Sequence, residues 1–551
     1  MARISPNAGT STRLHVWPKR LAMLALALLA LPALAQGRVD RPGSGLAGTR
    51  PNIILVFCDD LGYAELGCYG QERIQTPSID RLADEGLRLT RFYSASTVCA
   101  PARCAIMTGY HTGHGVIRGN REVGGWGPEE PEGQWPLPDA QVTLAEVLRG
   151  VGYSTACIGK WGLGGPGSEG HPSRQGFDHF YGYLCQRVAH NLYPTHLWRN
   201  HDVDVLRNDY FPAHQRLDAV PEGWTTADWN QYRGPDFAPG EMLDEAVRWI
   251  GRHAARGRDA DGSDGTHGTH TTHGSNDPHA PFFLYFSTIL PHAALQAPQE
   301  FVDRYPREWD QPPLGGAYLG QQGYLPCERP RATYAAMIEY IDHSVGRLRE
   351  AVEAAGLGDN TLIIVTSDNG TTFNGGVDRA FFDSLGGLRG FKTNLYEGGI
   401  RVPFVAWWPG RIAPGTTRDE VVGLYDLMPT LCAIGGAAPP ARIDGVSLAG
   451  LLGGAALEGH PGYVYIEYPE GAQQQCVIVG DIKGIRPRLR EDGREDGREG
   501  RRPTIEVYDL STDPFETRDL AGLRPDLVEL CESIMDREHI ASDLFPIPAI
   551  D

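Results

Sequence analysis

The stretch Asn52–Gly62, NIILVFCDDLG, places a short apolar run directly before two aspartates. The run has the length of a strand rather than a helix, and its branched aliphatic residues favour a buried strand. The stretch Thr361–Gly370, TLIIVTSDNG, repeats this pattern with an aspartate and an asparagine after the run. In an open α/β sheet, ligands bind at the carboxyl ends of the strands. The two stretches therefore predict a parallel sheet with a polar site at one edge.

Other stretches alternate between strand and helix patterns, as expected around a parallel sheet. PFFLYFST (281–288) predicts another buried strand, and LAEVLRGVGYSTACIGKWG (144–162) predicts a helix, a glycine turn and a strand. Before Thr361, one helix face is marked by Met337, Ile338, Ile341, Val345, Leu348 and Val352, with Gly356 at its end. The predicted fold class is α/β: a large mixed, mostly parallel sheet sandwiched by helices.

The sequence pattern changes after about residue 452. Short alternating stretches, GYVYIEY, QCVIVGDIKGI and TIEVYDL, precede the helical stretch DLVELCESIM. They predict a smaller C-terminal subdomain with an antiparallel sheet and a closing helix. We divide the chain into a signal peptide (1–35), a linker (36–49), a main domain (50–455) and this subdomain (456–551).

Two low-complexity segments interrupt these domains. Residues 259–280 form a Gly/His-rich insertion, and residues 489–503 form a loop with a charged repeat. The histidines of the insertion are of a type that binds transition metals. A flexible surface segment is the preferred interpretation, because no cysteine or carboxylate set fixes a metal geometry there.

The N-terminus has the pattern of an export signal. Four basic residues precede the apolar run LAMLALALLALPALA (21–35), which ends in Ala-Leu-Ala. The run is short for a membrane span, so an uncleaved anchor is the less favoured alternative. We expect a periplasmic or secreted protein with no stable membrane insertion after cleavage.

Composition excludes some classes of partner. The chain carries a formal net charge of -19, and removal of the basic leader makes the rest more acidic still. Binding of nucleic acid requires basic surfaces, so nucleic acid is a poor candidate partner. Ten cysteines in 551 residues are too few for a small disulfide scaffold.

The strand ends carry a candidate metal site. Asp59, Asp60, Asp368 and Asn369 supply only oxygen ligands, which suit a hard cation such as calcium or magnesium. The alternative is that these residues only begin turns. The recurrence of the pattern at two strand ends favours the metal.

A second candidate site is the stretch Cys99–Gly109, CAPARCAIMTG. A helix beginning near Ala102 would place Cys99 at its N-terminus, where the helix dipole and Arg103 favour negative charge. A thiolate nucleophile also needs a nearby base. The sequence leaves open whether His111 or His114 reaches it.

This stretch resembles the signature of the type I sulfatases of the alkaline phosphatase superfamily, Cys-x-Pro-x-Arg followed by a helix and Thr-Gly. Ala102 stands where that family usually has serine. In the family a maturation enzyme oxidises the cysteine to formylglycine. The resemblance therefore implies an alkaline-phosphatase-like fold and a sulfuric ester hydrolase in which Cys99 is converted by a formylglycine-generating enzyme.

The resemblance continues along the chain from Pro51 to Val507–Ala521, and it implies roles for the candidate residues. Calcium, rather than magnesium, would be bound by Asp59, Asp60, Asp368, Asn369 and the modified Cys99. Arg103, Lys160 and Lys392 would hold the sulfate group, and His292 would protonate the leaving alcohol. One position departs from the family: Gly162 stands where the family has a histidine that contacts the formylglycine hydroxyl. We expect the segment His190–His196 to supply the missing side chain.

The substrate is predicted from the segment GFDHFYGYLCQRVAHNLYPTHLWRN (176–200), which is dense in histidine and aromatic residues. Such residues line carbohydrate sites, although the tyrosines fit core packing equally well. The segment resembles that of bacterial exported arylsulfatases and glycan sulfatases. The expected substrate is a sulfated carbohydrate, with galactose or N-acetylgalactosamine as candidate sugars, or an aryl sulfate, with His190 and His196 as substrate-binding residues.

Two alternatives compete with this hypothesis. The first is a phosphonate monoester or phosphodiester hydrolase of the same superfamily, some of which share Cys-x-Pro-x-Arg. The second is an exported glycan-binding protein in which Cys99 is never oxidised.

Overall fold

The strands predicted from the two opening stretches lie side by side in the centre of a large sheet. The structure, a computed structural model, describes residues 45–125, 127, 130, 132–262, 280–490 and 504–551. The predicted signal peptide, residues 263–279 of the insertion and residues 491–503 of the charged loop lie outside the described residues.

Ten described strands form this sheet. In chain order they are β1 (Asn52–Asp59), β2 (Leu87–Leu89), β4 (Ser154–Lys160), β5 (His179–Tyr183), β6 (His196–Arg199), β7 (Asp202–Val205), β8 (Phe282–Pro291), β9 (Thr361–Ser367), β10 (Phe404–Trp407) and β11 (Thr416–Arg418). Two short strands, β3 (Phe92–Tyr93) and β12 (Val422–Gly423), form a separate parallel pair.

The order of strands in the sheet is β11-β2-β10-β9-β1-β8-β4-β5-β6-β7. The centre is parallel: β1 pairs with β8 and β9, and β4 pairs with β8 and β5. The pairings of β10 with β9 and β2, and of β6 with β5 and β7, are antiparallel. Because β1, β8 and β9 are adjacent and parallel, their carboxyl ends meet at one edge. The predicted mixed, mostly parallel sheet is confirmed.

Helices cover this sheet. The described α-helices are α1 (Pro77–Asp84), α2 (Cys99–Thr108), α3 (Leu144–Gly150), α4 (Ala238–Gly262), α5 (Gln299–Val302), α6 (Pro330–Ala354), α7 (Arg379–Phe382), α8 (Glu397–Ile400), α9 (Leu427–Ile434), α10 (Ala449–Leu452) and α11 (Pro525–Glu538). The apolar face predicted before Thr361 belongs to α6 and is buried, and Gly356 follows this helix with a φ of 74°. Two large buried clusters of apolar residues contain side chains that alternate along β1, Ile53 and Leu55 in one and Ile54 and Val56 in the other.

The C-terminal antiparallel sheet is also confirmed. It contains β13 (Tyr463–Tyr468), β14 (Gln474–Val479), β15 (Ile482–Arg486) and β16 (Glu506–Asp509), and α11 packs on it. Lys483 of β15 forms buried ion pairs with Glu397 of α8 and with Glu516. The subdomain boundary at residues 455 and 456 stays a prediction.

Candidate active site

The ends of β1 and β9 bring four oxygen-bearing side chains together. Asp60 has a left-handed backbone with a φ of 69°, which interrupts the strand geometry that would point Asp59 and Asp60 to opposite faces. The backbone N–H of Asp60 donates to Asp368 Oδ1 at 3.0 Å, and Asn369 Nδ2 donates to Asp60 Oδ1 at 2.7 Å. The two strand ends predicted from the opening stretches therefore form a single polar site at one edge of the sheet.

Cys99 lies at the first position of α2, directly beside these carboxylates. The helix begins three residues earlier than expected, because proline at 101 is tolerated in a first turn. The thiol of Cys99 donates to Asp59 Oδ1 at 3.2 Å, and Lys392 Nζ lies 3.6 Å from Cys99 Sγ. The cysteine is thus buried between a carboxylate and an ammonium group.

Three cations converge on the same carboxylates. Lys160, the last residue of β4, places Nζ 2.6 Å from Asp59 Oδ2. Lys392 Nζ lies 2.7 Å from Asp60 Oδ1. Arg103, one turn along α2 from Cys99, donates to Asp368 Oδ2 at 3.1 Å. All the charged groups predicted to hold a sulfate therefore surround the cysteine.

Burial and neighbouring charges shift the pKa values of two of the acidic groups in opposite directions. Burial alone would raise the pKa of Asp59, but Lys160, His292, Arg103 and Lys392 hold it well below its usual range. The pKa of Asp368 is raised to about 8, first by burial and then by the charge of Asp59. Two carboxylates that compete for the same buried positive charge form a site in which a further cation would be stabilising.

The residues present fit a hard metal ion. Asn369 Oδ1 is buried and has no hydrogen-bond partner among the described residues, although its amide nitrogen is paired. An orphaned carbonyl oxygen beside three carboxylates is a ligand for an oxygen-preferring cation such as calcium. Asp59, Asp60, Asp368 and Asn369 would hold the ion. Ligand atoms of Asp59, Asp60, Cys99 and His292 also lie within 4.8 Å of one another.

His292 follows β8 directly and completes the ring of side chains. Its Nε2 lies 3.7 Å from Asp60 Oδ2. Burial, followed by the charge of Lys392, lowers the pKa of His292 to about 4. The ring of His190 stacks on that of His292, with centroids 4.9 Å apart and planes inclined by 16°.

These side chains line a cavity of about 220 Å³, called here the reaction cavity. Its wall includes Cys99, Lys160, Gln186, His190, His292 and Lys392. The structure thus brings His190 into the predicted site. Sequence reasoning missed Gln186, because a single glutamine in a polar segment has no motif to mark it.

His196 is placed differently. It lies on β6 with its Nε2 3.2 Å from Glu132 Oε2, in the wall of a neighbouring cavity of about 720 Å³. This outer cavity is also lined by Arg187, Trp198 and His214. His190 Nδ1 lies 3.1 Å from His214 Nε2, so the two cavities share this wall.

The two histidines that follow α2 do not serve Cys99. His111 Nε2 contacts Glu538 Oε2 at 3.3 Å, and His114 Nδ1 contacts Asp444 Oδ1 at 2.8 Å. The backbone N–H of Gly113 donates to His111 Nδ1, so a neutral His111 carries its proton on Nε2. The contact with Glu538 connects the segment after α2 to α11 of the C-terminal subdomain.

A mixed, mostly parallel α/β sheet with buried acids at its strand ends, and with a cysteine and three cations beside them, defines a hydrolase with an alkaline-phosphatase-like fold. The sulfatase family model matches residues 51–437, and the model described as N-sulphoglucosamine sulphohydrolase, C-terminal, matches residues 390–537. The chain belongs to the sulfatase family and is a sulfuric ester hydrolase.

Similar proteins agree with this assignment. Human arylsulfatase A is 31% identical over 89% of this chain and 88% of its own length. An N-acetylgalactosamine-6-O-sulfatase of Bacteroides thetaiotaomicron is 27% identical over 90% of this chain and 95% of its own length.

Solved structures show the shared fold. A sulfatase from Pseudoalteromonas sp. has a TM-score of 0.60 at 21% identity and covers 90% of this chain and 92% of its own. A phosphonate monoester hydrolase of Agrobacterium radiobacter has a TM-score of 0.56 at 19% identity and covers 90% of this chain and 99% of its own. Among the described residues, no helix is both long and apolar enough to cross a membrane.

Proposed function

We propose that the protein hydrolyses a sulfate ester of a carbohydrate, using a formylglycine formed from Cys99 and a calcium ion held by Asp59, Asp60, Asp368 and Asn369. The observation that carries this proposal is the position of Cys99 Sγ, between Asp59 Oδ1 at 3.2 Å and Lys392 Nζ at 3.6 Å. The neighbouring thiol of Cys104, in contrast, packs in the apolar core.

The unmodified thiol of Cys99 is a poor nucleophile at this position. Burial, followed by the charge of Asp59, raises the pKa of the Cys99 thiol far above its ordinary value. The unmodified side chain therefore stays protonated at neutral pH, and thiolate attack is disfavoured. Conversion to a hydrated aldehyde would supply hydroxyl groups for attack on sulfur, and bound calcium would activate an oxygen nucleophile and offset the negative charge of the sulfate.

The other side chains have separate tasks. Arg103, Lys160 and Lys392 place buried positive charge in or beside the reaction cavity, and this charge would stabilise the sulfate oxygens during transfer. His292 is proposed to protonate the departing alcohol. A sulfate group beside Lys392 would offset the charge that lowers the pKa of His292, so substrate binding itself favours the protonated ring.

The outer cavity is proposed to hold the sugar. It adjoins the reaction cavity at His190 and His214, and it presents Trp198 and His196, residue types that stack on sugar rings and bind hydroxyls. Galactose and N-acetylgalactosamine are the candidate sugars, supported by the name of the Bacteroides relative. A signal peptide and a periplasmic or secreted location remain part of this proposal, with a formylglycine-generating enzyme as the maturation partner.

The test is the mass of the peptide that contains residue 99, after expression in a host that has the maturation enzyme. We expect a substantial aldehyde fraction, and we expect Cys99→Ala to stay folded without activity while Cys104→Ala keeps its activity. Fully active protein with only free thiol at residue 99 would refute the mechanism.

A phosphonate or phosphodiester hydrolase is the second candidate, since a phosphonate monoester hydrolase shares the fold. Assays on aryl sulfate and aryl phosphonate, side by side, separate the two. A glycan-binding protein without catalysis would bind sulfated sugar but hydrolyse neither ester.

A further inference from the structure

Gln186 occupies the space that a side chain at position 162 would fill. Gly162 has a φ of 74°, and a Cβ built there would lie 2.9 Å from Gln186 Cγ, 3.2 Å from Cδ and 3.3 Å from Oε1. All three nearest atoms belong to this one side chain. The glycine and the glutamine therefore form a complementary pair.

The backbone fixes both partners. The N–H of Gly162 donates to Leu184 O at 3.2 Å, which keeps the chain after β4 beside the chain after β5. The N–H of Gln186 donates to Gln134 Oε1 at 3.0 Å. Because Gln186 is only 2% exposed, its side chain has little freedom to leave this position.

Hydrogen bonding sets the direction of the amide. Asn120 Oδ1 accepts from the backbone N–H of Ala100, the residue after Cys99, at 2.9 Å. The same oxygen accepts from Gln186 Nε2 at 3.4 Å. Turning the Gln186 amide over would place two acceptor oxygens against each other. The amide nitrogen therefore faces Asn120, and Oε1 is the atom left for another partner.

That oxygen has no hydrogen-bond partner among the described residues, although it is buried. A buried acceptor without a partner costs about 1–3 kcal/mol, so such an atom in a cavity wall indicates a missing donor. The oxygens of a sulfate ester carry no hydrogen and would repel it. A hydroxyl group in the reaction cavity, whose wall Gln186 shares with Cys99, would supply the donor that this oxygen lacks.

We propose that Gln186 is a catalytic residue whose Oε1 accepts a hydrogen bond from a hydroxyl of the nucleophile at position 99. The inference rests on the proposed function, because the unmodified cysteine has no hydroxyl. An amide oxygen accepts a hydrogen bond but does not take up a proton near neutral pH. Gln186 therefore orients the nucleophile and stabilises its hydrated form, and the proton must leave by another route.

The test compares Gln186→Leu with Gln175→Leu. Gln175 is a matched control, because it is also buried with an unpartnered Oε1 but lies outside the reaction cavity. Each variant is checked by mass for its aldehyde content at residue 99. With an aryl sulfate, Gln186→Leu should lower kcat by about tenfold with little change in KM, since one hydrogen bond to the reacting group is lost. Gln175→Leu should alter stability only.

A second readout does not depend on turnover. Loss of the acceptor should shift residue 99 from hydrate towards free aldehyde, so an aminooxy probe should label Gln186→Leu faster than the parent protein. Gly162→Ala should lower kcat by displacing the amide. In Gly162→Ala/Gln186→Ala the collision is gone and only the strain of an alanine at a φ of 74° remains, so the loss of kcat should be less than the sum of the losses in the two single variants.

The outcomes separate the two hypotheses. A parent protein without sulfatase activity would refute the proposed function and this inference together. An active parent with an aldehyde at residue 99, beside a Gln186→Leu variant of unchanged kcat and unchanged labelling, would overturn the inference alone. A loss confined to sugar substrates would also overturn it, because Gln186 would then bind a sugar hydroxyl.

Discussion

Asp59 and Lys160 form a buried ion pair in which Lys160 Nζ lies 2.6 Å from Asp59 Oδ2, while the other oxygen of Asp59 accepts from the Cys99 thiol. Both partners are only 1% exposed at the side chain. A buried charge destabilises the folded state unless an oppositely charged partner and hydrogen bonds compensate for the lost hydration. The pair therefore joins the proposed metal ligands, the nucleophile and the sulfate-binding cations in one electrostatic unit.

Replacing Lys160 with methionine should lower both stability and turnover. The change leaves Asp59 with one partner fewer and removes a positive charge from the sulfate-binding wall. Lys483→Met is the control, because Lys483 lies in the C-terminal sheet and its buried ion pairs with Glu397 and Glu516 are outside the reaction cavity. Thermal unfolding should show a loss of stability in both variants. Only Lys160→Met should lose kcat per folded molecule, and equal kcat in both would contradict the role of Lys160.

Asp368→Asn should lower calcium content and kcat together. The substitution preserves size but removes one of the carboxylates that a hard cation requires. Asp342→Asn is the control: Asp342 is a buried carboxylate that accepts the backbone N–H groups of Ser78 and Ile79 instead. Metal content is measured by elemental mass spectrometry on purified protein. Normal calcium and normal rate in Asp368→Asn would remove this residue from the site.

His292→Gln should slow hydrolysis most for substrates with poor leaving groups. A proton donor matters little when the departing phenolate is already stable, but it matters greatly for a sugar alkoxide. The ratio of kcat for nitrophenyl sulfate to kcat for a sugar sulfate should therefore rise by about tenfold or more in His292→Gln. His343→Gln, on α6, should leave the ratio unchanged. An equal loss on both substrates would argue that His292 only binds.

Much of this arrangement could be predicted from local sequence. The strand ends at Asp59 and Asp368 follow apolar runs whose period and length define buried strands, and parallel pairing then requires their ends to meet. The predicted beginning of α2 near Ala102 is wrong by three residues, because Pro101 lies within the first turn of the helix.

The neighbour of Gly162 could not be predicted in the same way. The segment His190–His196 is predicted to supply the missing side chain, whereas Gln186 fills the space beside Gly162, because the chain after β5 already passes Gly162 at this residue. Side-chain contacts between two loops depend on tertiary placement and carry no local pattern. For the same reason, local sequence does not predict that His190 and His196 lie in different cavities.

Glu538→Gln should give a stability loss that depends on pH. Glu538 ends α11 and contacts His111 Nε2 at 3.3 Å and the hydroxyl of Tyr463 at 2.7 Å. The hydrogen bond from His111 is the largest cause that lowers the pKa of Glu538 from 4.5 to about 2. A carboxyl with a lowered pKa in the folded state stabilises above its ordinary pKa, and this contribution is lost as pH falls through the folded value.

Denaturant midpoints should therefore differ most at neutral pH and converge between about pH 4.5 and 2, the two values that bound the shift. Glu529→Gln, an exposed position of the same helix, is the control and should follow the parent at every pH. A constant gap between Glu538→Gln and the parent across the range would show that packing, rather than charge, holds the end of α11.

His190→Ala and His196→Ala should differ in the substrates they affect. His190 lines the reaction cavity and stacks on His292, so its removal should slow turnover of both an aryl sulfate and a sugar sulfate. His196 lies in the outer cavity against Glu132, so its removal should raise KM for the sugar sulfate and leave the aryl sulfate unaffected. His343→Ala serves as the control for loss of an imidazole outside both cavities. If His196→Ala slowed the aryl sulfate as much as His190→Ala, the outer cavity would have no separate role in sugar binding, and His196 would act on the reaction cavity itself.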